Sequence, residues 1–317
     1  INAYLGAFPI AKALENGADI VITGRSVDSA VTLGACIYSF GWNENEYDFL
    51  SSGSLAGHII ECGTQSTGGN FTDWEQVSEN LNDIGYPIVE IEGNGLFTCT
   101  KSKSSSGIVN IGTISEQMLY EIGDPQAYIL PDVICDFSNV ELIEIENNMI
   151  QVSGAKGYPS PSDYKVSVTY ADGFRGGHLC SFVGIDADKK AQVFGDAIFQ
   201  RSKTIMRAMN IPDFDETSVE VIGSNSQYST DIDEKYNNKE VVLKFAAKHE
   251  DIRAIGIMLK ESVGLGLATP PGLSGFAGAR PKPSPVVRLF SFLIPKSKVP
   301  IKIIDDKEHD IEVSHGE

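Results

Sequence analysis

The chain is short of cations and of the short motifs that name a chemistry outright. It has 25 Lys plus Arg against 43 Asp plus Glu in 317 residues, a net charge of −18 at pH 7. A surface this acidic repels the phosphate backbone of nucleic acids and an anionic membrane, so neither is an expected partner. No stretch approaches the roughly 18 uncharged apolar residues of a membrane-spanning helix. There is no CxxC pair; the five cysteines, Cys36, Cys62, Cys99, Cys135 and Cys180, are odd in number and widely spaced. That argues against a disulfide framework or a structural zinc site and points to a reducing compartment, the cytoplasm or a eukaryotic mitochondrion. A GxGxxG after a strand, a Walker A loop, HExxH and GxSxG are all missing, so no nicotinamide, P-loop or metal site is indicated. Low complexity and internal repeats are missing too.

What is present is an ordinary globular composition, 42% hydrophobic with 31 glycines and 14 prolines, and a length that favours two domains. The start, Ile1 to Gly6, reads as the tail of a strand and its turn. It has no charged leader, so the chain is expected to be an N-terminally truncated piece of a larger domain. A helix follows at about 8–16. The apolar run Ala18-Asp-Ile-Val-Ile-Thr23 has the pattern of a buried parallel strand, and a helix at 28–40 follows it. Another helix spans 47–62, then a Gly/Ser/Thr-rich loop from Gly63 to Asn70. The fold class expected is α/β: a parallel-sheet layer in the N-terminal third, followed by an α+β, strand-rich region. The boundary is placed at 85/86, giving the C-terminal part of an α/β domain over 1–85 and an α+β domain over 86–317. The second part carries a hairpin around Gly93–Gly95, a short helix at 113–122 and strands at 140–146, 149–153, 164–171 and 178–185. A long amphipathic helix at 187–209, strands at 218–223 and 241–247, a helix at 251–263, a last strand at 286–294 and a flexible tail after about 305 complete it.

Four constellations carry candidate chemistry. His58, Glu61, Cys62 and Gln65 share one face if the helix at 47–62 runs on one turn. A His and a carboxylate one turn apart can share a proton, and a His can activate a thiol, which makes His58, Glu61 and Cys62 the catalytic candidates. The alternative is a buried Cys62 and a His58 satisfied in the core. Gly68, Gly69 and Asn70, just beyond, could supply backbone N–H groups to an oxyanion or phosphate. Arg25, in Gly24-Arg25-Ser26-Val27-Asp28 at the end of the expected parallel strand, could hold a carboxylate or phosphate; alternatively it pairs with a helix-capping Asp28. Tyr170 to Gly177 sets Arg175 among three glycines, either a ligand-contacting loop or a plain hairpin. Last, a Gly/Pro-rich stretch from Gly264 to Gly278 leads into Arg280, and from Ala279 to Ile304 there are six basic residues and no acidic one. That local reversal of charge suits an anionic ligand, or is a solvated face balanced by the acidic tail.

Several phrases together resemble one family. They are Asn2-Ala-Tyr-Leu-Gly-Ala-Phe-Pro-Ile10, Gly17-Ala-Asp-Ile-Val-Ile-Thr-Gly-Arg25 with Asp28, Ala56-Gly-His-Ile-Ile-Glu-Cys-Gly63 with Gln65, and Thr67-Gly-Gly-Asn70. Further on come Tyr128-Ile-Leu-Pro-Asp132, Val152-Ser-Gly-Ala-Lys-Gly157, Lys165-Val-Ser-Val and Asp172-Gly-Phe-Arg-Gly176. This resembles the acyclic terpene utilisation family of AtuA type, over nearly the whole chain. The resemblance implies a setting in the breakdown of terpenes such as citronellol and geraniol, through branched acyl-CoA thioesters. It carries over no residue roles, so the site residues rest on spacing. Two functions follow as expectations. One is an enzyme acting on an acyl-CoA or the related acid, with a coenzyme A thioester as substrate. The other is a non-catalytic scaffold whose acidic surface docks a basic partner such as a carboxylase subunit. A homo-oligomer fits either.

Overall fold

The computed structural model describes residues 1–224, 226–227, 239–275, 280–304 and 310–312. Gly278 and nearly all of the tail expected after 305 lie outside them. The chain divides into two compact units, residues 1–168 with 291–317, and residues 169–290. The boundary expected at 85/86 falls inside the first.

In the first unit, α1 (Phe8–Glu15), α2 (Ala30–Phe40), α3 (Tyr47–Glu61) and α4 (Ile111–Leu119) pack with two small sheets. The centre is α3, in which the ten residues Leu50 to Ile59 are all buried. Most of them are Ser, Gly or Ala, and this small-residue helix lets neighbours come close. A Cβ on Gly57 would lie 2.7 Å from the carbonyl oxygen of Ser29, just ahead of α2, and one on Gly53 would lie 2.8 Å from Leu33 on α2. Leu33, Leu55, Ile59, Phe97, Ile114 and Ile150 fill the core around it, apolar area whose removal from water drives the packing. α4 begins two residues ahead of the expected start because Asn110 and Thr113 form a reciprocal capping box.

Every strand pair in these two sheets is antiparallel. One sheet runs Pro87–Ile91, Phe97–Lys101, Met149–Ser153, Glu141–Glu146, and the other joins Tyr128–Ile129, Ile134–Asp136 and Lys156–Tyr158. This corrects the parallel-sheet layer expected for the N-terminal third. There, parallel contact amounts to the isolated bridges Leu5↔Ser26 and Ile84↔Ser106. Ala18–Thr23 forms no strand. Val21 packs on the core, while Ile20 is 82% and Ile22 92% exposed. An apolar, β-branched run favours extended backbone, but a strand exists only where a neighbour accepts its hydrogen bonds. No described strand lies alongside this one.

In the second unit, α5 (Ala187–Ala208) and α6 (Ile252–Gly264) cover an antiparallel sheet. Its order is Glu216–Ile222, Glu240–His249, then the Asp163–Val183 strand from residue 174 on, with the short Leu273–Gly275 strand beside it. Val241, Leu243, Phe245, Ala247 and His249 alternate inward, as a half-buried strand requires. Two strands were expected at 164–171 and 178–185, joined either by a ligand-contacting loop or by a plain hairpin. One strand runs through instead, Asp163–Val183. The glycines serve the protein's own packing: a Cβ at Gly176 would meet Ile255 of α6 at 2.5 Å, and one at Gly177 the Phe245 carbonyl at 2.5 Å. Among the described residues, no helix is long and apolar enough to cross a membrane.

Candidate active-site cleft

The loop Thr23–Asp28 is pinned by Leu5, whose N–H donates to the Arg25 carbonyl (3.1 Å) and whose own carbonyl accepts from Val27 (3.0 Å). This carries Arg25 and Asp28 to the C-terminal end of α3. There they share a cleft of about 540 Å³ with Glu61, Cys62 and Glu121. Two phrases far apart in sequence thus face one another, as ligand pockets require of convergent polar groups.

Glu61 is one of three carboxylates that line the cleft, with its side chain 16% exposed. His58, 2% exposed, sits behind it with Nδ1 3.0 Å from Glu61 Oε1. The His58 carbonyl accepts from Gln117 Nε2 (2.8 Å), and the ring lies 5.8 Å from that of Tyr128. Among the described residues, His58 Nε2 has no hydrogen-bond partner. His58 therefore orients Glu61 from within the core rather than lining the cleft. Burial pushes the Tyr128 phenol up to about 12, with Glu61 adding to the effect.

Cys62 is half-buried. Burial raises its pKa, and Glu61, Glu121 and Asp28 raise it further, against a hydrogen bond from Gln117. The thiol, not the thiolate, is the resting form here, so the electrostatics favour Cys62 as a hydrogen-bond donor over a nucleophile. Arg25 is held from two sides: its guanidinium carbon lies 4.5 Å above the Tyr4 ring, and Nη1 lies 3.3 Å from Asp28 Oδ1. The expected Arg25–Asp28 pair exists, while the side chain that precedes α2 as its cap position is Ser29. A hydrogen bond from Ser167 Oγ (3.4 Å), with Arg25 and Lys165, lowers the Tyr4 phenol below its ordinary range.

Other expected site residues are placed elsewhere. Gly68 N–H donates to the Gln65 carbonyl (3.4 Å), Gly69 N–H to the Thr64 carbonyl (2.8 Å), and Asn70 Nδ2 to Gln65 Oε1 (3.3 Å). The two glycine donors close the turn and are not offered to an oxyanion. Arg175 and Arg280 are exposed residues of the second unit; Arg175 lies opposite Lys248 in the sheet. In the basic stretch, Arg288 pairs with Asp172 and Glu216, and Lys296 donates to the Pro131 carbonyl (2.7 Å). Part of that charge is thus engaged by the protein itself. Among the described residues, no group of three or more His, Cys, Asp or Glu is arranged to hold a metal ion.

Four contributors escaped the sequence reading. Glu121 is a non-glycine residue at φ 59° in the cleft wall, a conformation uncommon for its type. Gln117 and Tyr4 act through contacts across the fold. Tyr128 stood in a recognisable phrase, but nothing local tied it to His58. The model of a family described as acyclic terpene utilisation family protein AtuA matches residues 1–304. No curated protein and no solved structure matches the chain.

Proposed function

The chain belongs to the acyclic terpene utilisation AtuA family, and on that premise we propose that it is an enzyme of acyclic-terpene or branched-chain acid catabolism. In this reading it moves a proton on an acyl-CoA or related carboxylic substrate. The observation that carries it is the cleft joining Arg25 to Glu61 and Cys62, with His58 braced behind Glu61.

Glu61 is the proton acceptor and donor, because its carboxylate meets the cleft while a hydrogen-bonded imidazole fixes its direction. Arg25 holds the anionic or carbonyl end of the substrate. The Cys62 thiol can donate a hydrogen bond to an oxygen that gains charge. Asp28, Glu61 and Glu121 make the cleft negative overall, which suits a reacting centre that is itself neutral, such as an alkene or the carbon beside a carbonyl.

The test is solvent deuterium incorporation into a panel of branched acyl-CoA esters and free acids, read by mass spectrometry. Glu61→Gln is expected to slow exchange by about 10²–10⁴-fold without loss of fold. A Glu61→Gln protein that still restores growth on citronellol to a null strain would transfer the case to the non-catalytic scaffold.

A further inference from the structure

Glu121 stands in a backbone position that side chains avoid. After α4 the chain turns with Tyr120 at φ −63° and ψ 130° and Glu121 at φ 59°, and Ile122 N–H donates to the Leu119 carbonyl (3.3 Å). This is the pattern of a type II turn, whose third residue is ordinarily Gly or Asn. A glycine would hold the turn with less strain, so the strain points to a use for the side chain. That side chain lines the cleft with Arg25, Asp28, Glu61 and Cys62. Glu61 is engaged by His58, and Asp28 by Arg25. Among the described residues Glu121 is in no ion pair, and it is exposed, so it can exchange protons with solvent. Beyond burial, the Glu61 and Glu121 charges both raise the Cys62 thiol and the Tyr128 phenol. The two carboxylates thus act on the same groups from separate elements, the end of α3 and the turn after α4.

We infer that Glu121 is the second proton-transfer group of the cleft, and that the reaction is an allylic shift of a carbon–carbon double bond beside a carbonyl. The inference rests on the enzyme reading above and divides its proton steps between two carboxylates. Glu61 takes a proton from the carbon next to the carbonyl. The C–H electron pair moves into an enolate, whose oxygen Arg25 and the Cys62 thiol stabilise. The pair then returns: the carbonyl re-forms, the double bond moves from the β,γ to the α,β position, and the γ-carbon takes the proton of Glu121. One proton leaves, one arrives, and no third reactant is consumed. Glu61 ends protonated and Glu121 ionised, and exchange with water resets both.

The test incubates the purified protein in deuterium oxide with vinylacetyl-CoA and with vinylacetic acid. Ultraviolet absorbance reads the conjugated product, and mass spectrometry reads deuterium. The parent is expected to form the conjugated isomer with deuterium at the γ-carbon. Glu61→Gln should lose both the shift and exchange at the α-carbon. Glu121→Gln should slow the shift at least about a hundredfold relative to exchange at the α-carbon. Glu121→Gly, which suits the turn, should melt no lower than the parent and shift the double bond as slowly as Glu121→Gln, which separates the side chain from the backbone. Either variant working at the parental rate would overturn the inference. So would a parent that exchanges the α-carbon without forming conjugated product, or one whose product is heavier by a whole water; in both cases the enzyme reading survives. Absence of exchange and of product with both probes would take the enzyme reading down as well.

Discussion

Replacing Asp132 by asparagine should change how stability depends on pH, and the structure gives the size. The Asp132 carboxylate closes the start of α1, where Ala7 offers no capping side chain. Its Oδ2 accepts from Ala7 N–H at 2.8 Å, and it lies so close to Gly6 that a Cβ there would sit 2.1 Å from Oδ1. The helix N-terminus favours a negative charge, and Lys296 helps. Burial outweighs both and raises the pKa from 3.8 to about 6. A carboxyl whose folded pKa exceeds its unfolded one binds its proton more tightly when folded. Its contribution is therefore most favourable below about pH 4, declines as pH rises, and is constant again above about pH 6 to 7. A shift of about two pH units corresponds to about 3 kcal/mol. Asparagine keeps an oxygen for Ala7 and has no charge to bury. Asp132→Asn should thus gain about 3 kcal/mol relative to the parent between pH 4 and pH 7. Carboxylates elsewhere that titrate low, such as Asp48 and Asp172, are common to both proteins and cancel in the difference. Urea unfolding from pH 4 to 7.5, followed by tryptophan fluorescence, suits the assay, because Trp42 and Trp74 are the two tryptophans and both lie in the unit that holds Asp132. A stability difference that stays flat across this range would refute the reasoning.

Two further outcomes follow from packing and charge. Cys62 should be the first cysteine alkylated by iodoacetamide, since the other four are buried, and its rate should still be rising at pH 9; Glu121→Gln should speed it several-fold at pH 8, and no change would remove Glu121 from the Cys62 environment. Gly57→Ala should lower stability by up to about 2 kcal/mol, overpacking of about 1–3 offset by about 1 of helix propensity. Gly53→Ala should cost less, because its new methyl meets the side chains of Leu33 and Trp42, which can move, rather than the Ser29 backbone; denaturant titration showing the reverse order would contradict this.

The legibility of the chain follows the range of the forces involved. α5 and the Glu240–His249 strand declare themselves by period, because a helix or strand with one buried face must repeat its apolar residues at 3.6 or 2. The His58–Glu61 pair was legible for the same reason: three residues along a helix is one turn, and the 3.0 Å contact is local. Ala18–Thr23 was misread because its composition is that of a strand, while a strand is a relation between two segments. The glycines at 176 and 177 fit a ligand loop and a hairpin equally well in sequence, because a residue without Cβ suits a ligand, a turn and a close neighbour alike; the approach of Ile255 to Gly176 and of the Phe245 carbonyl to Gly177 shows that they serve a continuous strand instead.

Sequence by itself determined the family, the helices, most strands of the later region and the two phrases that supply Arg25 and Glu61. Each depends on residues close together in the chain or on a string of them long enough to be specific. Tertiary structure alone decided that those phrases meet in one cleft, that Glu121 joins them, that Asp132 caps a helix 125 positions away, and that the sheets of the first unit are antiparallel. These depend on where the backbone places groups that share no local signal, and on which of several chemically equivalent partners lies within reach.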